Sequence, residues 1–266
     1  MIKNHLDKAK VKSAFSKAAD TYEKWAQIQK TVEDQLLKKL SPQKKYNKIL
    51  EIGCGVGRFT EKLALIYPDS QILAIDIAPG MVVKAKNRLS NYSRVTVQEA
   101  DGEELPIQIT SQGPFDLIIS SSTFQWFDNL SKTLVRYSQI LSDNGQLLFS
   151  IFGPLTLNEL NLAINLANPN KLGLVSTTFL SKNNLTSILK PSFSSYDIEE
   201  VILKKEYDSL IELLKSLKYT GVAPPMYRPL IKSRKGMEKI EKEFLNKFSA
   251  IKATYQIFFV NAKNKK

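Results

Sequence analysis

The stretch Ile49-Leu50-Glu51-Ile52-Gly53-Cys54-Gly55-Val56-Gly57-Arg58 joins a short apolar run to a glycine-rich turn, and a helical pattern follows over 58–67. Glycines there let the backbone turn tightly and approach a ligand closely. A dinucleotide-binding turn would read G-x-G-x-x-G; here the spacing is G-x-G-x-G, and Arg58 stands in place of the third glycine. Glu51, two residues before Gly53, would repel a pyrophosphate but pair with an ammonium group. That favours S-adenosylmethionine (SAM), whose amino-acid end carries an ammonium. Asp76 closes the next apolar run, 71–76, where a carboxylate accepts both hydroxyls of a ribose. Asp101-Gly102 follows the run 95–99, where a carboxylate accepts a hydrogen bond from an adenine amino group. Each acid alone could be a helix cap or a loop residue. All three at the ends of successive strands point to one ligand, because open α/β sheets bind at those ends.

Outward from the turn, apolar runs alternate with helical patterns. Strands are expected at 49–52, 71–76, 95–99, 115–120 and 146–151, with helices at 58–67, 79–89 and 129–141 and a turn at Asp143-Asn144-Gly145. Uninterrupted Ile/Leu/Val runs are those of strands covered on both faces. Strand–helix alternation implies right-handed crossovers and an α/β, Rossmann-like, mostly parallel sheet. Helices follow at 156–166, 182–189, 209–217 and 237–248, and two more strands, 198–205 and 254–260, bring the sheet to seven. The start of the chain reads as helical, with an apolar face through Val11, Ala14, Phe15, Ala18 and Tyr22. Residues 1–47 are therefore expected as a helical lid segment, and 48–266 as one domain with a lid insertion at about 206–253.

Composition excludes several classes. With 266 residues, 43% apolar and 9% aromatic, the chain has material for a sizeable core and is no disordered protein. The single cysteine, Cys54, excludes a disulfide scaffold. No apolar run approaches the ~18 residues of a membrane span, and the first residues lack a signal-peptide pattern, so a cytoplasmic protein is expected. The net charge of +12 suits an anionic partner, although 32 lysines against 6 arginines is also a pattern that genome base composition produces. Its placement is uneven: +7 over 1–48, −3 over 49–227 and +8 over 228–266.

Methyl transfer from a sulfonium is an in-line displacement that needs positioning above all. His5 is the only histidine and lies at the terminus, so a histidine base is not expected. Cys54, inside the turn, reads as a small packing residue. An acceptor already anionic at neutral pH, such as a carboxylate, fits this set, although Tyr, Asp or Lys could serve as a base. After the fourth strand, Ser120-Ser121-Ser122-Thr123-Phe124-Gln125-Trp126-Phe127 lacks the Asn/Asp-Pro-Pro-aromatic stretch of enzymes that methylate base nitrogens in DNA. Phe124 and Trp126 either pack under the lid or line the acceptor pocket.

Further stretches carry a resemblance: Phe15-x-x-Ala18-Ala19-x-x-Tyr22 with Ala26 and Gln29, Phe124-Gln125-Trp126, and Phe152-Gly153-Pro154-Leu155-Thr156-Leu157-Asn158-Glu159-Leu160. Leu217-Lys218-Tyr219-Thr220-Gly221-Val222, Ile231-Lys232-Ser233-Arg234 and Thr254-Tyr255-Gln256 continue it, so that it runs over roughly 10–262. The chain resembles the malonyl-acyl-carrier-protein O-methyltransferases of biotin synthesis, within the class I SAM-dependent methyltransferases. Val222 stands where alanine is usual, and 223–229 is proline-rich.

The resemblance implies a SAM-dependent carboxyl O-methyltransferase that esterifies the free carboxylate of a malonyl thioester on an acyl carrier protein, or on coenzyme A. It implies a cofactor site of Gln29, Glu51, Gly53, Gly55, Asp76, Ile77, Met81, Asp101, Gly102 and Ser120. Tyr22 would close over the cofactor and orient the acceptor, Gln125 and Trp126 would line the acceptor pocket, and Arg228 or Arg234 would read the malonyl charge. Acyl carrier proteins are typically acidic, so basic terminal segments would steer one in. A small-acid methyltransferase of the trans-aconitate type shares the turn and is the nearest alternative. A SAM-binding nucleic-acid module is a further one, but the basic 1–48 segment interleaves few aromatics (Tyr22, Trp25, Tyr46). Neither a nucleic-acid nor a membrane partner is expected.

Overall fold

The chain is described by a computed structural model over residues 7–168, 174–222 and 234–264. The strands are β1 (Lys48–Ile52), β2 (Gln71–Asp76), β3 (Val95–Glu99), β4 (Phe115–Ser121), β5 (Leu141–Phe152), β6 (Phe193–Tyr207) and β7 (Ile251–Asn264). They form one seven-stranded sheet in the order β3-β2-β1-β4-β5-β7-β6. Neighbours from β3 to β5 run parallel, and β7 runs antiparallel to both β5 and β6.

Alternation along each strand sends side chains to two cores. On one face Ile49, Leu117, Leu148 and Phe259 meet α3 (Gln27–Leu37), α4 (Arg58–Ile66), α8 (Asn158–Ala167), α10 (Leu210–Tyr219) and α11 (Arg234–Phe248). On the other, Leu50, Ile118, Phe149 and Val260 meet α7 (Leu130–Ile140) and α9 (Lys182–Leu189). Burial on both faces explains why the central strands read as continuous apolar runs. No helix of the described residues is long and apolar enough to cross a membrane.

Three stretches differ from the sequence expectation. β6 and β7 extend beyond 198–205 and 254–260, because their ladder continues from Phe193 opposite Asn264 to Tyr207 opposite Ile251. β6 is an edge strand whose outer positions carry Ser, Glu and Lys, so hydropathy shows only its middle. β5 begins at Leu141, with an irregular register across the expected turn at 143–145. The N-terminal helical stretch is three helices, α1 (Lys8–Ala18), α2 (Tyr22–Trp25) and α3. It breaks at Thr21, whose hydroxyl donates to the carbonyls of Ala18 (3.1 Å) and Tyr219 (2.9 Å). Val11, Ala14 and Ala18 are buried as the apolar face requires.

Candidate functional site

The strand order reverses between β1 and β4, and the crevice outside the carboxyl ends of the strands is where open α/β sheets take ligands. Three adjoining cavities open there. The first is lined by Gly53, Gly55, Asp76, Ile77, Met81, Asp101 and Gly102, under α1 residues Lys8, Val11 and Phe15. The second holds Glu51, Gln29, Glu33 and Arg58, and shares Gly53 and Gly55 with the first. The third is walled by Ile28, Trp126, Phe152, Phe179, Leu217, Tyr207 and Tyr255, with Gln125 and Lys205. Tyr22 lines all three.

The glycine turn is built for close approach. Gly53, Gly55 and Gly57 all have positive φ (+75°, +54° and +81°). A Cβ on Gly53 would lie 2.0 Å from Thr123 Oγ1, whereas one on Gly55 would meet nothing within 4 Å and project into open space. Asp76 fixes the turn from below: its Oδ2 accepts from the Gly55 amide (2.9 Å) and its Oδ1 from that of Ala78 (2.8 Å). Arg58, in the position where a dinucleotide loop has glycine, pairs with Glu33 and Asp34 and so ties α4 to α3.

The acids of the crevice are perturbed chiefly by burial. It pushes Glu51 up to about 8 against the opposing Thr60 hydroxyl, and Glu51 Oε2 has no hydrogen-bond partner. Burial lifts Asp76 to about 6, against its two backbone donors. The Tyr22 phenol is pushed far upward by burial and then by Glu33 and Asp76, so it stays a neutral hydroxyl at physiological pH. Burial also raises the Cys54 thiol, which keeps it unreactive.

Asp101 is not free of partners. Lys8 on α1 pairs with both Asp101 and Glu103 at 2.7 Å, and Asp101 Oδ1 accepts from the Glu103 amide (2.9 Å). Burial opposes the Lys8 charge, but the two carboxylates outweigh it and its pKa is raised. With Lys12–Glu99 (2.5 Å) and the Gly80 amide donating to Ser16 Oγ (2.9 Å), these contacts hold α1 across the first cavity. Because Lys8 is nearly one-third exposed, its share of that hold is modest, about 0.5–1 kcal/mol. Lys8→Met is expected to speed amide exchange in 8–18 about two- to fivefold, with exchange in β1 unchanged; equal protection in both proteins would show the pair to be inert.

Most of the residues expected from sequence therefore converge. Gly53, Gly55, Asp76, Ile77, Met81, Asp101, Gly102, Glu51 and Gln29 share the first two cavities, and Gln125 and Trp126 reach the third. Trp126 stacks edge-on against Phe15 (5.8 Å) and Phe179 (5.9 Å), whereas Phe124 is buried among Phe127, Tyr137 and Phe149. Ser120 lines none of these cavities: it is fully buried and donates to the Ile52 carbonyl (2.8 Å), one strand over. Arg234 points away, 91% exposed and paired with Glu238, and Arg228 lies outside the described residues.

Among the lining residues that sequence reasoning passed over, Ser122 joins two of the cavities, and Lys205, Tyr207 and Phe179 line the third. Ser122 sits just past β4 in the left-handed region (φ +57°), its Oγ is buried without a partner, and it lines both the first and third cavities. Nothing in a run of three serines marks which one the strand end will turn inward.

Residues 50–147 match the family described as a methyltransferase domain. Malonyl-[acyl-carrier protein] O-methyltransferases are similar over nearly the whole chain. That of Bacillus cereus is 30% identical, covering 96% of this chain and 97% of the relative; that of Acetivibrio thermocellus is 31% identical, covering 98% and 95%. The chain belongs to the malonyl-[acyl-carrier protein] O-methyltransferase family. It is a SAM-dependent methyltransferase with SAM as its cofactor. Among solved structures, the YcgJ protein of Bacillus subtilis matches with a TM-score of 0.61 at 15% identity, over 89% of this chain and 99% of that one. Phosphoethanolamine N-methyltransferase 2 of Haemonchus contortus with bound SAM gives 0.54 at 18%, over 88% and 52%. These likenesses are of fold, the Rossmann-like class I methyltransferase architecture to which this chain's seven-stranded sheet conforms.

Proposed function

We propose that this chain methylates the free carboxylate of a malonyl thioester carried by an acyl carrier protein, the priming step for biotin synthesis, in the cytoplasm. The observation that carries the reading is the junction at Tyr22 and Ser122, where an aromatic-walled cavity meets the cofactor cavity. The names of the full-length relatives support the acceptor.

The residues present fit SAM, which supplies an electrophilic methyl on a sulfonium when bound. Glu51, buried with an unpartnered oxygen, takes the amino-acid ammonium. Asp76 offers its remaining lone pairs to the ribose, and Asp101 does the same for the adenine amino group. The space beyond the Gly55 Cα gives the ligand room against the turn. A carboxylate of ordinary pKa (about 4) is already ionised at neutral pH, so no base is needed. Tyr22, held neutral, orients the acceptor by hydrogen bonding, and Ser122 Oγ, which lines the same two cavities, donates to it as well. Exclusion of water and alignment at attack distance then supply the acceleration. In this reading α1 to α3 and α10 act as the lid, and the basic terminal segments steer the carrier protein.

Incubation with malonyl carrier protein and labelled SAM is expected to yield a base-labile methyl ester on the carrier. Equal activity on free di- or tricarboxylates, or no ester at all, would overturn the assignment. Two further results follow from the site. At pH 7 Glu51, with its pKa of about 8, is mostly protonated and must ionise to pair with the ligand ammonium, so binding releases a proton. Above pH 8 the ligand's own α-amino group (about 8) deprotonates, and affinity falls again. Calorimetry in buffers of different ionisation enthalpy should show net proton release at pH 7 and an affinity maximum near pH 8. Separately, Ser122→Gly relieves left-handed strain of about 1 kcal/mol while removing the hydroxyl. It is expected to raise the melting temperature and lower kcat roughly tenfold; an unchanged kcat would remove Ser122 from the site.

A further inference from the structure

We infer that Lys205 is the residue that reads the acceptor's negative charge, making the third cavity a carboxylate-binding site; this rests on the methyl acceptor being anionic, as proposed above. The walls of that cavity are largely aromatic and aliphatic, and a carboxylate drawn into such a place needs a counter-charge. Among the described residues lining it, Lys205 is the only cation.

Alternation along edge strand β6 sets Leu203, Lys205 and Tyr207 on one face, the face that packs against α10, and Leu203 and Tyr207 belong to that core. The Lys205 ammonium lies 4.7 Å from the centroid of the Tyr207 ring, so the side chain is laid against the cavity wall. It makes no ion pair with any described carboxylate. Most of the cations packed around the crevice do: Lys8, Lys12, Arg58, Lys62, Lys84 and Arg88 all have acidic partners. A half-buried lysine whose charge no described carboxylate matches, on the wall of a largely apolar cavity, is placed to meet an anion there. Arg234, the sequence-based candidate for this task, is spent on Glu238 at the surface.

The floor beside Lys205 adds hydrogen-bonding capacity. Tyr207 and Tyr255 share a buried bond between their hydroxyls (2.6 Å), and both line the cavity. One hydroxyl donates to the other, and the second proton of the pair is shared between Ser216, which also lines the cavity, and an incoming oxygen. Charge from Lys205 and a donor from the tyrosine pair distinguish a malonyl from an acetyl thioester, since only the former carries the anion. The ammonium draws the carboxylate in while one oxygen remains directed toward the junction at Tyr22 and Ser122.

The test compares wild type with Lys205→Met, which keeps the aliphatic stem, and Lys205→Arg, which keeps the charge. Methyl transfer to malonyl carrier protein is measured, with acetyl carrier protein as competitor. Lys205→Met is expected to raise KM for the malonyl carrier roughly tenfold to a hundredfold, the loss of one charge-assisted hydrogen bond. SAM affinity should stay within about twofold, the preference for malonyl over acetyl carrier should collapse, and Lys205→Arg should restore most of it. Unchanged KM and preference in Lys205→Met overturn the inference. If the wild type prefers a free di- or tricarboxylate, the carrier assignment fails while Lys205→Met must still lose that acid by the same factor. A neutral acceptor overturns both.

Discussion

Exchange of Glu51 for glutamine is expected to weaken SAM binding a hundredfold or more. Glu51 is 1% exposed, and β1 fixes its backbone between Ala74 of β2 and Ile119 of β4. One of its oxygens has no hydrogen-bond partner, and burial holds its pKa at about 8. Glutamine keeps the shape and removes the charge, which leaves the ligand ammonium unpaired in a dry site; breaking such a pair costs about 3–5 kcal/mol. The unliganded protein should respond in the opposite direction. Folding raises this carboxyl above its unfolded value of 4.5, so the folded state binds the proton more tightly. Its contribution to stability is then full below about pH 4.5 and is lost as pH rises through about 8. Without ligand, the wild type should lose more melting temperature between pH 6 and pH 9 than Glu51→Gln does. SAM affinity of the variant within about threefold of wild type would refute the assignment of Glu51 to the ammonium.

Gly53→Ala is the second change with a large expected effect. Gly53 sits at φ +75°, where a side chain costs about 1 kcal/mol or more. The added Cβ would also stand 2.0 Å from Thr123 Oγ1 and 2.7 Å from its Cγ2. Either the turn or the segment after β4 must move, and both line the cofactor cavity. The turn is tied to β2 through the Gly53 and Cys54 amides on the Ile75 carbonyl (2.7 and 3.0 Å), but the β1 ladder itself pairs over 48–52. The protein should therefore fold with a penalty of about 1–3 kcal/mol and bind SAM at least a hundredfold more weakly. Thr123→Ala removes the two nearest atoms but leaves Thr123 Cβ at 2.8 Å, so the double variant should recover part of the affinity and not all of it. Calorimetric titration of the two singles and the double checks this. Simple additivity of the two changes would show that the clash is not the cause. Gly55→Ala is the contrast: its Cβ meets no protein atom within 4 Å, so it should harm binding with little effect on folding beyond the backbone strain.

The parallel half of the sheet was legible because β1, β4 and β5 are covered on both faces and three of its crossovers are helices of nine to eleven residues, so local pattern and final position agree. β3, at the edge, is buried only at Val97 and showed through its β-branched residues. The edge pair β6 and β7 was legible only in its middle, because Ser, Glu and Lys at exposed ladder positions carry no hydropathy signal while their backbones still pair. The cofactor-side residues were legible for a related reason. Glu51, Gly53, Gly55, Asp76 and Asp101 sit at the ends of consecutive strands, so their separation along the chain already states their proximity in space. Ser120 shows the limit: a strand that runs one or two residues further turns a different serine, Ser122, toward the ligand.

What the amino-acid order determined by itself was the α/β architecture, the glycine turn and the acids around it, since these depend on contacts within a few residues or between neighbouring strands. What only the tertiary structure decided was the acceptor side. Lys205, Tyr207 and Tyr255 come to this cavity, and Phe179 joins Trp126, which the resemblance already placed there, from segments far apart in the chain. Their meeting depends on how an antiparallel edge pair and the helices α2, α3 and α10 fold back over the crevice. No periodicity or spacing encodes that closure, because it arises from the packing of distant faces and not from any local pattern.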